Sequence, residues 1–595
     1  MGLFVTALLF DHGRGQPQVA TLPLRYDSRQ PVLLPEWQWG QPTPAVAAYA
    51  IDRLGPSASV QARFFATPDV PRTLEIRALA ESLGRGPLPF APLVGDMAPQ
   101  TVNFDARGES SWHSFSFDTG AMRTGGVDCA TLQWRWQARI HAAAAWVDAG
   151  VTQQRLYALL SAPSSPWQTW PADPGNLSLP RTDMLDMACL WARGARDASQ
   201  AAARITEAVN RLGGTTLTYD ALVGAPHYTV LGVSRFLCDA FLERLRGGAG
   251  AGPLVNCSDC ATIVSTFANL VGANLWQSKM GLVGAGFRLN PLLSIGSRTW
   301  STLHGGFTFH EVAWTGSCTE NDAVYDACCH LDGDLDPAAP PHRPLLPTGL
   351  RFGRPGDAGY RDRIALQDDR DVCAPQPTLR VRRTVTATGP APPLPVLPVL
   401  AARGAELPSR DSGYRFEGFH WFGGELGPDW LPVHAMSFST SQLRVHVATW
   451  RSMRSPEAML RVEATEADGP ARARQAMLEA AAEVASPSLQ PWQAREGEER
   501  GDTELGLSLD DGAFVLFTRG NLMLSVRSAG LQPLDARSAA LQLDHWLLGA
   551  DNAQVPTAPV VAASGWRRWR QNADQERSQL AMVTPAHAVA WRPPS

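Results

Sequence analysis

The chain has 595 residues, of which 44% are hydrophobic and 18% charged, the composition of a folded globular protein with length for about three or four domains. A net charge of −5 and a pI near 6.2 give no electrostatic case for nucleic acid as the main partner, and no run of about 18 apolar residues is present to span a membrane. Nine cysteines in so long a chain make no dense disulfide framework, and their odd number leaves a free thiol, so a reducing compartment is the default.

From the N-terminus, Met1 to Phe10 is apolar without a basic lead, and Asp11 and His12 interrupt it; it reads as a first strand rather than a signal peptide. The expected location is therefore the cytoplasm, or outside the cell by export without a classical signal peptide. Between residues 20 and 165 apolar residues alternate: Ser59 to Phe65, Thr73 to Leu79, Trp112 to Phe117 and Leu132 to Ile140 have strand character, with Trp134, Trp136 and Ala138 on one face. An all-β sandwich over residues 1–165 is the natural product, and with no clustered catalytic types it reads as a docking module for a protein partner, the C-terminal domain being the alternative docking surface. His113 and His141 read as strand-face residues, because a metal site needs several ligands at defined spacing.

Pro-rich Ala162 to Pro180 reads as a linker. Helical spacing begins at Thr182 or Asp183 and runs to Trp191, resumes from Asp197 through Leu212, and returns from Ser234 to Leu245. Gly-rich Gly247 to Pro253 then leads irregularly into Val255-Asn256-Cys257-Ser258-Asp259-Cys260-Ala261-Thr262. Ile263, Val264, Phe267, Leu270 and Val271 recur at helical spacing, which makes a buried helix with Cys257 at or just before its N-terminus and Gly272 at its end. Downstream, Phe307 to Trp314 reads as a strand with His310, Val312 and Trp314 on one face and Phe307, Phe309 and Glu311 on the other. Val324 and Asp326 share a face of the next strand, so pairing the two would bring Asp326 to His310.

The chemistry of those residues is that of a thiol nucleophile. A cysteine in the first turn of a helix feels the unpaired backbone N–H groups, which favours its thiolate. A histidine can take its proton, and a carboxylate can hold that histidine in the right tautomer. Cys257-Ser258-Asp259-Cys260-Ala261 resembles the C-x-D-x-A signature of the transglutaminase-like superfamily, His310-Glu311-Val312-Ala313-Trp314 its H-x-V-x-W strand, and Val324-Tyr325-Asp326-Ala327 its V-x-D-A element. The resemblance covers about residues 180–370. It implies an α+β, papain-like domain over residues 175–370, with Cys257, His310 and Asp326 as catalytic triad, no cofactor, and a protein or peptide substrate attacked through a thioester. Water as acceptor gives a protease or deamidase and an amine gives cross-linking; in the superfamily, bacterial members look mostly like hydrolases.

Other readings stay open at this point. Cys257-x-x-Cys260 with Cys328, Cys329 and His330 could form a zinc site, although adjacent cysteines fit one tetrahedral ion poorly, or a redox pair. Arylamine N-acetyltransferases use the same order of residues, but their Arg-Gly-Gly lead-in is replaced by Pro253-Leu254-Val255-Asn256. The non-enzymatic alternative is a scaffold that keeps the domain without its catalysis.

Beyond the central domain, residues 371–408 are Pro-rich and read as a stiff linker. A second α+β domain is expected over 409–552, with strands at Phe419 to Trp421, Ala435 to Phe438 and Leu443 to Trp450. A helix at Ala471 to Val484, a hairpin turning at Arg519-Gly520-Asn521 and a closing helix at Asp535 to Leu548 complete it, with no motif that carries chemistry. A tail from 553 to 595 carries Trp566-Arg567-Arg568-Trp569-Arg570, which reads as docking on its own protein. Lys279 is the sole lysine, every other basic residue being arginine, a bias expected of a GC-rich bacterial genome or, alternatively, of an enzyme that avoids offering itself as an amine acceptor.

Overall fold

The computed structural model describes residues 2–10, 20–26, 32–41, 44–82, 93–164, 179–232, 234–281, 286–334, 336–385, 412–419, 421, 424–439, 443–485, 489–490, 501–507 and 514–549. The chain divides into two compact units, one of residues 1–247, 254–397 and 482–487, the other of 248–253, 398–481 and 488–595. Most of the linker at Ala162 to Pro180, residues 386–408 of the second linker, and the Trp566 to Arg570 patch lie outside the described residues.

In the first unit, the alternation read from the sequence produces a ten-stranded sheet. Its long strands are Leu3–Leu9, Ala45–Ala50, Ser57–Ala66, Thr73–Ser82, Met97–Asn103, His113–Asp118, Asp128–Arg139 and Val147–Leu159. Instead of two separate sheets, all of them hydrogen-bond in one continuous order, with Val147–Leu159 running parallel to Ala45–Ala50. Leu132, Trp134, Trp136 and Ala138 turn inward together and enclose one core with Phe64, Phe115 and Phe117. Phe64 and Phe115 each meet Trp136 edge-on at 5.3 Å, the geometry that aromatic quadrupoles favour. His113 sits on its strand; His141 lies in the exposed bend after Arg139, beyond the strand expected to carry it.

The same unit holds a helix–sheet core. The helix Cys257–Leu270 is buried along all 14 residues, against the helices Thr182–Trp191 and Ala198–Asn210 on one side and a four-stranded sheet on another. That sheet runs Trp276–Met280, His310–Trp314, Ala323–Tyr325, Thr348–Arg351. The helix stops where expected, with Val271 as C-cap and Gly272 at φ +96°, a conformation in which a side chain would be strained. Two boundaries differ from expectation. The helix expected from Ser234 is Cys238–Leu245, because Arg235 and Phe236 are drawn into bridges with Thr384 and Thr229. Residues 371–385, expected as linker, are pinned down: Gln277 and Val381 exchange backbone hydrogen bonds at 2.9 Å, and Phe236 N–H donates to Thr384 at 2.8 Å.

The second unit is built on a seven-stranded sheet in the order Trp430–Ser439, Leu443–Ser452, Met459–Ala467, Leu522–Ser528, Phe514–Arg519, Thr503–Leu507, Leu489–Gln490, all pairs antiparallel. The hairpin turns at Gly520 and Asn521, with Gly520 at φ +56°. Trp450, Val462, Phe517 and Val526 pack with Ala540, Leu543 and Leu547 of the closing helix Ala536–Leu548, which Asp535 caps. Phe419 and Trp421 are not in a strand but pack edge-on at 4.8 Å within that core. The helix expected from Ala471 to Val484 is Pro470–Ala481. Among the described residues no helix is long and apolar enough to cross a membrane.

Candidate active site

Cys257 owes its position to the residue before it. The strand Leu254–Val255 pairs in parallel with Thr218–Tyr219, and Asn256 leaves it extended and caps the helix. The Asn256 side chain accepts from the Asp259 N–H at 3.0 Å while Asp259 accepts back from the Asn256 N–H at 3.2 Å, a reciprocal capping box. Cys257 is thus the first helical residue, where backbone N–H groups have no helical acceptor.

Asp259 does more than cap. Its carboxylate takes the N–H groups of His227 at 2.6 Å, Tyr228 at 2.9 Å and Thr229 at 2.7 Å, so one buried side chain ties the 227–229 loop to the start of the helix. Ser258 donates to Glu311 at 2.6 Å, and Glu311 pairs with Arg383 at 2.6 Å, which locks the first helical turn onto the strand that carries His310. Arg383 also reaches Glu483 at 3.4 Å, and Lys279 bonds Glu483 at 3.2 Å. These charges lie buried together, Lys279 and Arg383 balanced by Glu311 and Glu483, as groups removed from water require.

His310 opens the strand His310–Trp314, paired to Trp276–Met280 on one side and Ala323–Tyr325 on the other. The pairing sets Asp326, just past Tyr325, against the ring: Nε2 lies 3.1 Å from Asp326 Oδ2, across 16 residues of chain. The other nitrogen, Nδ1, is buried without a hydrogen-bond partner, and the Cys257 thiol is among the groups that favour a protonated ring. Burial, the largest single effect, works against that charge, but the Asp326 carboxylate together with the Cys257 and Cys329 thiols outweighs it, and His310 is held well above its ordinary value. For Asp326 burial works the other way, and His310, Cys329 and Tyr360 together hold its carboxyl below the usual range.

Two partners of Asp326 escaped the sequence reading. Tyr360 donates its hydroxyl to Oδ2 at 2.7 Å from a short helix, Tyr360–Ile364, and the Cys329 thiol donates to the same oxygen at 3.1 Å. The Cys328 N–H donates to Oδ1 at 2.7 Å. Phe307 was expected on the far side of the strand from His310. The strand breaks at Thr308 and Phe309, the alternation fails there, and the Phe307 ring stacks on the imidazole at 4.8 Å. Period-two reasoning holds only while the strand is unbroken.

The expected alternative zinc ligands do not gather as a set. All nine cysteines are free thiols. Cys260 turns to Cys328 as a thiol–thiol pair, while Cys329 turns to Asp326 and His310. Among the described residues the metal-ligating types that converge are His310, Asp326 and Cys329, with ligating atoms within 4.8 Å of one another, and Asp326 is already filled with hydrogen-bond donors. Cys257, His310 and Asp326 are themselves fully buried, at 0%, 0% and 2% exposure.

No family model matches the chain, and no curated protein does. Among solved structures, red sea bream transglutaminase is similar over 46% of this chain and 48% of its own, at 11% identity and a TM-score of 0.25. The chain thus spans about half the length of that protein. A likeness this low carries no argument, and the site rests on its own geometry.

Proposed function

We propose that the chain is a transglutaminase-like cysteine acyltransferase that hydrolyses protein or peptide amides, a protease or deamidase rather than a cross-linking enzyme. The observation that carries this is one histidine with its two nitrogens in different roles: Nε2 held by Asp326 at 3.1 Å, Nδ1 buried and unpartnered on a ring that feels the Cys257 thiol at a helix start.

In this reading His310 accepts the Cys257 proton, and the thiolate sulfur bonds to the substrate carbonyl carbon. The carbonyl oxygen takes the electron pair, and the backbone N–H of Cys257 at the helix start would stabilise it, worth about 3–4 kcal/mol per donor. Collapse breaks the C–N bond; the leaving amine takes the proton from His310, and a thioester remains on Cys257. Water then gives its proton to His310, adds to the carbonyl, and releases a carboxylic acid with return of the proton to sulfur. Asp326 stays ionised throughout and orients the ring. The choice of water over an amine rests on the resemblance of the motifs.

Full burial of Cys257 and His310 favours the second reading, a scaffold with a closed and idle triad. The pH dependence of iodoacetamide labelling at Cys257, followed by peptide mass spectrometry in wild type and His310→Ala, separates the two. Labelling that is fast below about pH 7 and slowed by His310→Ala is expected of an activated thiolate. Labelling no faster than that of buried Cys373, and indifferent to His310, would leave the scaffold standing.

A further inference from the structure

The walls of the thiol–imidazole site are joined by a piece of chain from far away in sequence. Residues 482–485 belong to the first unit, although the helix Pro470–Ala481 before them belongs to the second. Ala485 N–H donates to Gly224 O at 3.0 Å, and Ala485 O accepts from Thr308 N–H at 3.0 Å. The Thr308 hydroxyl also donates to Val484 O at 3.2 Å. Gly224 O is the oxygen that accepts the Asn256 side-chain amide at 2.9 Å, and Asn256 is the cap next to Cys257. Thr308 stands two residues before His310. A single backbone unit is therefore held on one edge by the nucleophile's side of the site and on the other by the histidine's side. That is how a peptide is gripped in a groove, by main-chain hydrogen bonds that ignore its side chains.

Side-chain selection comes from Glu483. Lys279 donates to Ala482 O at 3.2 Å and to Glu483 Oε1 at 3.2 Å, and Arg383 lies 3.4 Å from Glu483 Oε2. Arg383 has Glu311 as a second partner, whereas the carboxylate paired with Lys279 is Glu483. Lys279 also stands opposite Glu311 on the paired strand, so withdrawing residues 482–485 would leave two buried cations, Lys279 and Arg383, sharing the one carboxylate of Glu311 and in need of a second.

We propose that the gap between Gly224 and Thr308 is the acyl-donor groove, that Ala482-Glu483-Val484-Ala485 fills it as an internal stand-in for substrate, and that the substrate is a peptide segment bearing a glutamate or aspartate side chain. This rests on the reading of Cys257, His310 and Asp326 as an acyl-transfer site. The strap closes the site in its resting state, and a substrate enters by taking its hydrogen bonds and its place against Lys279. Because the strap is tethered, it competes at an effective concentration in the millimolar range, so free peptide shows itself best once the strap is loosened.

Ala485→Pro removes the N–H given to Gly224, and Glu483→Gln removes the charge while keeping the shape; if the proline variant does not fold, the glutamine variant carries the test. In the full chain, with folding checked by circular dichroism, each should raise iodoacetamide labelling of Cys257 about tenfold, the effect of loosening a local closure by one hydrogen bond or ion pair. In the loosened variant, acetyl-Ala-Glu-Val-Ala-amide should protect Cys257 at several-fold lower concentration than its Gln-containing counterpart. Folded variants that label no faster than wild type overturn the strap, and equal protection by the two peptides overturns the carboxylate selection. Adding His310→Ala keeps the two ideas apart. Acceleration by the strap variants with labelling that His310→Ala does not slow supports the strap and sinks the triad; His310-dependent labelling that neither variant accelerates sinks the strap and keeps the triad.

Discussion

Asp259→Asn would leave the N–H groups of His227, Tyr228, Thr229 and Asn256 sharing one carbonyl oxygen in place of a carboxylate. Since a charged acceptor is worth roughly twice a neutral one and these donors are buried, the expected loss is about 2–4 kcal/mol, read as a fall in denaturant midpoint. Tyr360→Phe acts on chemistry instead. Without that 2.7 Å bond the ionised form of Asp326 is less favoured, and so is the imidazolium that depends on it. The alkylation limb of Cys257 should move to higher pH, in the same direction as in Asp326→Asn and by less; an unmoved limb would show that Tyr360 only packs. The pairing of His310 with Asp326 was legible because both residues sit in quotable motifs on two neighbouring strands. Tyr360 and Cys329 were not, since no spacing announces a hydroxyl or thiol that meets a carboxylate through the folded chain.

At the scale of elements, the helix Cys257–Leu270 shows what periodicity can and cannot see. Its apolar spacing marked a buried face, yet Ser258, Thr262, Ser265 and Asn269 are buried too. Each finds a partner: Ser258 donates to Glu311 at 2.6 Å, Thr262 accepts from Arg383 at 3.0 Å, Ser265 accepts from Gln277 at 2.6 Å, and Asn269 donates to Leu275 O at 2.9 Å. Polar residues look like a solvated face until the tertiary partners are known. The cap holding this helix to its strand should be measurable by itself. Asn256→Ala should cost about 1–2 kcal/mol of stability, the usual worth of a lost N-cap, with the excess over a peptide value coming from the Gly224 bond. Tertiary capture also explains the shortened helix Pro470–Ala481. The run of alanines and glutamates predicts helix through Val484, but Lys279 and Arg383 hold Glu483, and Thr308 and Gly224 hold Val484 and Ala485.

For the molecule as a whole, the multidomain α+β character was legible from alternation in the first 165 residues and helical spacing after Thr182, while the continuous hydrogen bonding of ten strands was not, because strand order is set by long-range pairing. The His310–Asp326 pair links stability to pH in a defined window. Asp326, lowered from 3.8, contributes stability above that value and loses it as pH falls through its folded value; His310, raised from 6.5, contributes below 6.5 and loses it only as pH climbs through its higher folded value. The difference in melting temperature between wild type and Asp326→Asn should therefore narrow below about pH 4 and persist through neutrality. One further property follows from the single lysine, buried at 6% exposure against Glu483. The folded surface offers no lysine ε-amine to acylating reagents, so an N-hydroxysuccinimide ester meets Lys279 only when residues 482–485 lift or the unit unfolds. The protein carries its own reporter: the acylation rate at this single position, compared with and without an acidic peptide, tests whether residues 482–485 lift.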